Sequence, residues 1–598
     1  MRWLWPTLTA TLVADALQLR GRVEALAVLE PADAPPAPGY RMVTAAGVTV
    51  DDATFRAAVA HAQAEGLAVL ELVPHDVPAE ILLDMLRTLN PKTYRGDALV
   101  KGYGALTAIL VDDDVAARAR LHQYEGLTPV EMAELSARLK GYAPRTTDLA
   151  IAPGLLAGPQ PAGTRASILQ RNVGRSMTLT GLVVDFALFA YAARTRKAGA
   201  IAAAVTRALQ PVLATGGTAV EPRDMPGRVA LRAVSSAIEL PRVLASRPAA
   251  RAADEVEARR EEYDKLLADG LDRFYEERRP DCPVCSSTDL HVRQVLVDRI
   301  QCKPGEFTLE ECASCGHIFQ NPRLSLEGLD FYYKDFYDGL AEDAAEGIFV
   351  NIGDLYRARA DMVRPYRTPT RWLDVGGGHG HFCLTAKDVW PDATFDVLDI
   401  SETIEEAERM GWVGRAHRGW FTEKAPELAG QYDVISMSHY LEHTRDQGAE
   451  IDAVREVLPV GGLYLVEVPD PESLDGKVLG QYWFPWFQPQ HQHFLSAGNL
   501  EKLLAARGFE TLQVQRAEVH IPVDFSAAAG LYMNKLHPRI NVPWRPRPTA
   551  AERVKRGAAI AAGTPVMVAG GVVDLALRPL GGRLGTSNAY RLLARKLS

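Results

Sequence analysis

Cysteine is scarce in this chain, with six in 598 residues. That scarcity excludes a disulfide-stapled scaffold, and four of the six fall in two close pairs, as a metal site in a reducing compartment would have them. An excess of basic charge is also missing. Lys and Arg number 66 against 75 Asp and Glu, a formal net charge of −9, whereas a nucleic-acid-binding surface is basic. No nucleic-acid partner is therefore expected, and a cytoplasmic setting is. The start, "MRWLWPTLTATLVADALQLRG", lacks the charged head, unbroken apolar core and small-residue cleavage site of a signal peptide. Long unbroken apolar runs are few. "MTLTGLVVDFALFAYAAR" carries Asp185 in its middle, and "GAAIAAGTPVMVAGGVVDLAL" is interrupted by Pro565. A mid-bilayer Asp costs about 2.5–3.5 kcal/mol, so both suit buried helices, or helices in peripheral contact with a membrane, better than spans. No internal repeat is evident.

What is present points to a multidomain globular protein. Hydrophobic residues make up 47% and charged residues 24%, the balance of a soluble protein, and the length exceeds one ordinary core. In the first 155 residues "VEALAVLEP", "LAVLELVP" and "TAILVDDD" read as strands, while "DDATFRAAVAHAQAEG" and "PAEILLDMLRTLN" read as helices. That alternation predicts an α/β domain of unknown function over 1–155. Asp112, Asp113 and Asp114 at the end of the third strand suit a helix N-cap, or a metal-bound nucleotide-sugar as in a glycosyltransferase. His75 in "HDVP" is unspecific. An alanine-rich helical region follows over 156–250. Residues 251–280 form a charged amphipathic linker helix, with Val256, Tyr263, Leu266, Leu267, Leu271 and Phe274 at helical spacing.

Cys282 and Cys285 in "CPVC" are answered by Cys312 and Cys315 in "CASC". Two such knuckles place four thiolates at the corners of a tetrahedron about Zn²⁺, with Gly316 to turn the backbone. All four ligands would come from protein, so the zinc would be structural. Cys302 has no partner. A zinc ribbon over 281–322 is expected, with "HVRQVLVD" and "FTLEEC" as its strands.

"LDVGGGHGHF" begins at Leu373. Gly376, Gly378 and Gly380 alternate with other residues, a spacing that departs from the dinucleotide fingerprint and lacks the Lys-Ser/Thr of a P-loop. A helix follows, then the strand "ATFDVLDIS" ending in Asp399, an acid placed to accept both ribose hydroxyls. "YDVISMSHYLEH" supplies a further strand, and "VREVLPVGGLYLVEVPDP" a helix, a tight turn and another strand. The pattern is that of a doubly wound nucleoside-binding sheet.

These motifs, with "HQHFLSAGNLEKLLAARGFE" as a closing segment, resemble the class I S-adenosylmethionine-dependent methyltransferases over about residues 320–520. The resemblance implies a methyltransferase domain at 323–525, and a helical extension is expected to follow at 526–598. It implies that Asp374 orients the cofactor's amino group, that Asp399 grips the ribose, and that Trp420 or Phe421 sits near adenine. Bare glycines let the backbone approach the cofactor closely.

A sulfonium methyl is already activated, so the protein must align the acceptor and remove its proton. His443 in "HYLEH" is the candidate base, Glu442 its orienting partner and Tyr440 a hydrogen-bonding group. Ribbon, methyltransferase domain and Tyr-x-Glu-His together resemble the sugar C-methyltransferases that act on nucleotide-linked deoxyketosugars. The closing part is more similar to ribbon-bearing methyltransferases of polysaccharide and secondary-metabolite pathways, which leaves carbon and oxygen both open as the acceptor atom. "QYWFPWFQPQHQHF" adds Trp483, Trp486, His491 and His493 as sugar-binding candidates, or as a packed lid. The expected acceptor is a small molecule or glycan. The other readings are O-methylation of a phenolic or lipid-like acceptor, and a non-catalytic scaffold that binds S-adenosylmethionine.

Overall fold

A computed structural model describes residues 4–32, 38–100, 107–121, 126–158, 161, 163–220, 238–240, 243, 247–335, 352–516, 523–577 and 587–598. The chain divides into two compact units, Met1–Arg251 and Ala252–Ser598. Parts of two expected regions, 221–237 of the helical region and 336–351 and 517–522 of the methyltransferase domain, lie outside the described residues.

In the first unit, β1 (Ala27–Val28), β2 (Tyr40–Thr44), β3 (Val69–Pro74), β4 (Ala108–Asp112) and β5 (Thr147–Ala152) form one sheet in the order β1-β5-β3-β4-β2. β3 is parallel to β5 and antiparallel to β4. Every residue of β3 is buried, as a central strand covered on both faces requires. The acids after β4 cap a helix. Asp112 accepts from the Val115 N–H at 2.7 Å to start Asp113–Arg118, and Asp113 pairs with Arg41. Asp185, the acid inside an apolar run, is held by Arg207 at 2.7 Å.

The second unit holds two sheets. β6 (Leu290–Leu296), β7 (Phe307–Cys312) and β8 (Ile318–Gln320) make an antiparallel ribbon, and β14 (His493–Phe494) joins its edge. The charged helix Arg247–Leu267 packs here. Its Tyr263 is fully buried with Phe274, Phe307, Phe331, Tyr332 and Trp544.

The larger sheet comprises β9 (Arg371–Val375), β10 (Thr394–Asp399), β11 (Ala416–Arg418), β12 (Val434–Ser438), β13 (Leu463–Pro469), β15 (Phe509–Gln515) and β16 (Ala589–Lys596), in the order β11-β10-β9-β12-β13-β16-β15. β16 is antiparallel to both neighbours and the remaining strands run parallel to one another. The last strand corrects one expectation, because 526–598 is not all helical. "AYRLLARK" is rich in good helix formers, yet its slot between β13 and β15 buries six of its eight residues, and packing overrides propensity. The helices Asp524–Leu536 and Ala550–Leu577 are an insertion between the last two strands of the sheet.

Candidate active site

The strand order reverses beside β9, with β10 on one flank and β12 on the other. Ligands in open α/β sheets bind at the carboxyl ends of the strands at such a point. β9 runs out there into the glycine loop. Gly376, Gly378 and Gly380 take φ of +73°, +51° and +76°, a region that costs other residues about 1–2 kcal/mol. A Cβ on Gly376 would lie 2.5 Å from the Tyr440 ring, whereas one on Gly378 would meet nothing within 4 Å. The crevice is open at Gly378.

Asp399 closes over this loop from the end of β10. One carboxylate oxygen accepts from the Gly378 N–H at 2.9 Å and the other from the Ser401 N–H at 3.0 Å. Each oxygen keeps acceptor capacity for a ribose hydroxyl. Asp374 is buried beneath, accepting from Ser436 Oγ at 2.5 Å. Burial pushes its carboxyl up to about 6 against the pull of Ser436 and Arg359. The Gly419 N–H donates to the Asp399 carbonyl at 3.0 Å, which brings the next residue, Trp420, to the same edge. Trp420 is 50% exposed, but Phe421 is fully buried among Leu373, Val375 and Leu398. The expectation that either aromatic could face adenine is thereby corrected to Trp420 alone, since Phe421 belongs to the core.

At the end of β12 the backbone turns sharply. His439 takes φ +51°, Tyr440 packs on Gly376 with its hydroxyl 3.4 Å from Glu450, and Leu441–His443 form one helical turn. His439 Nδ1 lies 3.0 Å from Glu442 and its Nε2 3.2 Å from Glu467. Burial alone would depress this imidazole, but the two carboxylates raise it to about 9. Glu467 is further bound by Arg359 and by Arg591 of β16.

Burial lowers the basicity of the His443 imidazole. Its Nδ1 lies 2.7 Å from the Tyr333 hydroxyl and 3.2 Å from the Gln490 carbonyl. The His491 ring stands edge-on to it at 4.5 Å, with its own Nδ1 2.8 Å from the Pro485 carbonyl. One ligand atom each from Glu442, His443 and His491 lie within 4.8 Å of one another, close enough to hold a cation. Neither His439 nor Tyr333 is marked by any local pattern in the sequence. His439 carries a signal only in hindsight, as the residue that ends a buried strand.

Of the four expected sugar contacts, the structure brings only His491 to His443. Trp483 and Trp486 are buried with Leu296, Leu309, Ile318 and Phe494, and His493 is buried 3.3 Å from His317. These three are corrected to packing residues, because the ribbon and β14 occupy their faces. The four paired cysteines do converge. Cys282 and Cys315 sulfurs are 3.7 Å apart and those of Cys285 and Cys312 are 3.5 Å apart. A tetrahedron with the usual Zn–S length of about 2.3 Å has edges of about 3.8 Å, so the set fits zinc. Gly316 turns at φ +70°, and Cys302 and Cys383 are buried elsewhere.

The sheet order and the glycine loop are those of an α/β methyltransferase fold. Residues 350–514 match the family model described as a methyltransferase domain, and the protein is an enzyme of this kind. No curated protein matches the chain. Among solved structures, a SAM-dependent methyltransferase from Archaeoglobus fulgidus is 16% identical over 44% of this chain and 99% of its own, with a TM-score of 0.26. Coclaurine N-methyltransferase bound to N-methylheliamine and SAH is 17% identical over 42% and 72%, at 0.27. Human N-acetylserotonin methyltransferase in complex with SAM is 16% identical over 29% and 50%, at 0.25.

Proposed function

We propose that the enzyme methylates a sugar or glycoconjugate, at carbon or oxygen, in polysaccharide or secondary-metabolite biosynthesis, with His443 as the general base. The observation that carries this reading is the position of His443, with a ligand atom within 4.8 Å of one on each of Glu442 and His491, three residues past the tyrosine that lines the glycine loop. Bound S-adenosylmethionine would supply a methyl group already activated by its sulfonium. Asp399 holds the ribose and the glycine loop admits the backbone-hugging part of the cofactor. Tyr440 walls the crevice on the acceptor side. His443 takes the proton from the acceptor's hydroxyl or α-carbon, while Glu442 stabilises the imidazolium that results. A buried carboxylate beside an imidazole favours its charged form, so base strength develops where the proton arrives. The paired cysteines hold a structural zinc and take no part in the chemistry.

Two variants test the assignment. Asp399→Ala should weaken S-adenosylmethionine binding in calorimetry by about ten- to a hundredfold, as the loss of charged hydrogen bonds worth about 1.5–3 kcal/mol predicts. His443→Gln should lower kcat by about 10²–10⁴ and leave cofactor affinity unchanged. Full turnover in His443→Gln would transfer the base role elsewhere. Mass spectrometry of nucleotide-sugars incubated with methyl-labelled cofactor identifies the acceptor.

A further inference from the structure

Between β15 and β16 the chain leaves the sheet to build the helices Asp524–Leu536 and Ala550–Leu577. The two are antiparallel over the full length of the shorter one. At one end Asp574 accepts from the Phe525 and Ser526 N–H groups at 2.9 and 3.0 Å, and at the other Arg556 donates to the His537 carbonyl. Between these ends, a Cβ on Gly563 would lie 3.0 Å from Met533, and one on Gly570 would lie 2.8 Å from the Ser526 backbone. Arg556, Gly563, Met567, Gly570 and Asp574 fall on one stripe of the long helix.

The short helix is in turn bonded to the domain. Asn534 donates to the Arg299 carbonyl at 2.7 Å, Lys535 lies 3.0 Å from the Tyr482 hydroxyl, and Asn588 donates to Asp524 at 2.8 Å. The long helix is thus the outer layer. Its 18-residue apolar window has a mean hydropathy of 1.7 and only 6% of it is buried, so it is not a core helix. Val566, Val568, Val572 and Leu575 are each more than half exposed. An apolar surface this continuous marks an interaction site.

Three features select a bilayer as its partner. From Gly557 to Leu577 the one ionisable residue is Asp574, and its carboxylate is spent on the short helix. The outer face is therefore free of charge for about 30 Å at 1.5 Å per residue, whereas a protein interface carries a polar rim and regular hydrogen bonds. The basic residues Arg553 and Lys555 are both exposed at the amino end, on opposite flanks of the helix, where each can reach anionic headgroups. Glu552, the neighbouring acid, is engaged by Thr549 at 2.8 Å. Finally, the short helix backs the long one along its length, and crossing a bilayer would drag Asn534, Lys535 and Tyr482 into hydrocarbon.

We infer that Ala550–Leu577 is a membrane-seating helix, which lies flat at the headgroup boundary of an anionic bilayer and holds the methyltransferase domain against it. The inference is independent of which acceptor is methylated.

Flotation of the full chain with mixed phosphatidylcholine–phosphatidylglycerol vesicles tests it. The wild-type chain should float with the vesicles. Val568→Glu/Val572→Glu should reduce the floating fraction about tenfold or more. Both positions are exposed, so Tm and S-adenosylmethionine affinity should stay unchanged, and those two readouts keep failure of seating distinct from failure of the methyltransferase assignment. Arg553→Glu/Lys555→Glu should weaken flotation with the anionic vesicles and have no effect on whatever binding remains to pure phosphatidylcholine. Three results overturn the inference. They are a wild-type chain that stays with the solution, a double-valine variant that floats as well as wild type, and a lipid-indifferent dimer in light scattering that the double-valine variant dissociates. The last would make a second copy of this chain the occupant.

Discussion

Gly376 and Tyr440 meet at the point where the glycine loop touches the turn after β12. The glycine's φ of +73° admits few other residues, and the Tyr440 ring fills the place its Cβ would take. Gly376→Ala therefore meets two penalties, about 1–2 kcal/mol for the backbone and about 1–3 kcal/mol for displacing a packed ring. In a Tyr440→Ala background only the first remains, so a double-mutant cycle read by Tm should show a coupling of about 1–3 kcal/mol. Strict additivity would mean the ring is not in contact. Residues of this kind were legible in the sequence because their signal is local. Alternating glycines and an acid at the end of the next strand state a backbone requirement within a few dozen positions. His439 and Tyr333 were not legible. The role of His439 depends on Glu467 of the next strand in the chain, and that of Tyr333 on His443, 110 positions away. Trp483, Trp486 and His493 misled for the same reason, since an aromatic side chain serves a sugar face or a core equally well until its neighbours are known.

Elements transmit what residues begin. β14 pairs with β8 at the edge of the cysteine ribbon. The Gln320 N–H donates to the Gln492 carbonyl at 2.8 Å, and the Gln492 N–H donates to the Glu442 carbonyl at 2.9 Å. The proposed zinc thus sits one strand pairing and two backbone hydrogen bonds from the proposed catalytic carboxylate. Metal analysis should return about one zinc per chain. Removing it with a chelator, or by Cys285→Ser, should cut turnover while cofactor affinity falls little, because the glycine loop and Asp399 hang from a different sheet. An equal loss of both would mean that the ribbon supports the whole unit rather than the acceptor side. The knuckles were plain from their spacing. Their coupling to Glu442 was not, because it rests on β14, a two-residue strand too short to leave a periodic trace.

For the whole molecule, the order of the chain and the order of the sheet diverge at the carboxyl end. The alternation of strands and helices from β9 to β13 could be read directly, β11 excepted, since β9, β10, β12 and β13 are buried apolar runs flanked by turn residues, whereas β11 is the short, half-exposed Ala416–Arg418. β16 could not, because its alanines, leucines and arginines suit a helix and only the slot between β13 and β15 makes them a strand. The burial of Arg591 against Glu467 at 2.6 Å fixes that slot. It follows that the segment between the last two strands is dispensable for the large sheet, although its Val542 and Trp544 complete the core around Tyr263, and that the last strand is not dispensable. β15 and β16 are antiparallel neighbours whose ends already face each other, Gln515 opposite Arg591. A linker of about four to six residues suffices to join them as a hairpin. Replacing 517–586 with such a glycine-serine linker should preserve S-adenosylmethionine binding, lower Tm because Val542 and Trp544 leave the core around Tyr263, and abolish vesicle flotation. Ending the chain at 586 should do the reverse of preserving it. That truncation leaves Glu467 buried without one of its cations, a change worth about 3–5 kcal/mol, and exposes the flanks of β13 and β15, so cofactor binding should disappear. A truncated chain that still binds the cofactor with wild-type affinity would show that β16 is an ornament on the sheet rather than the strand that completes it.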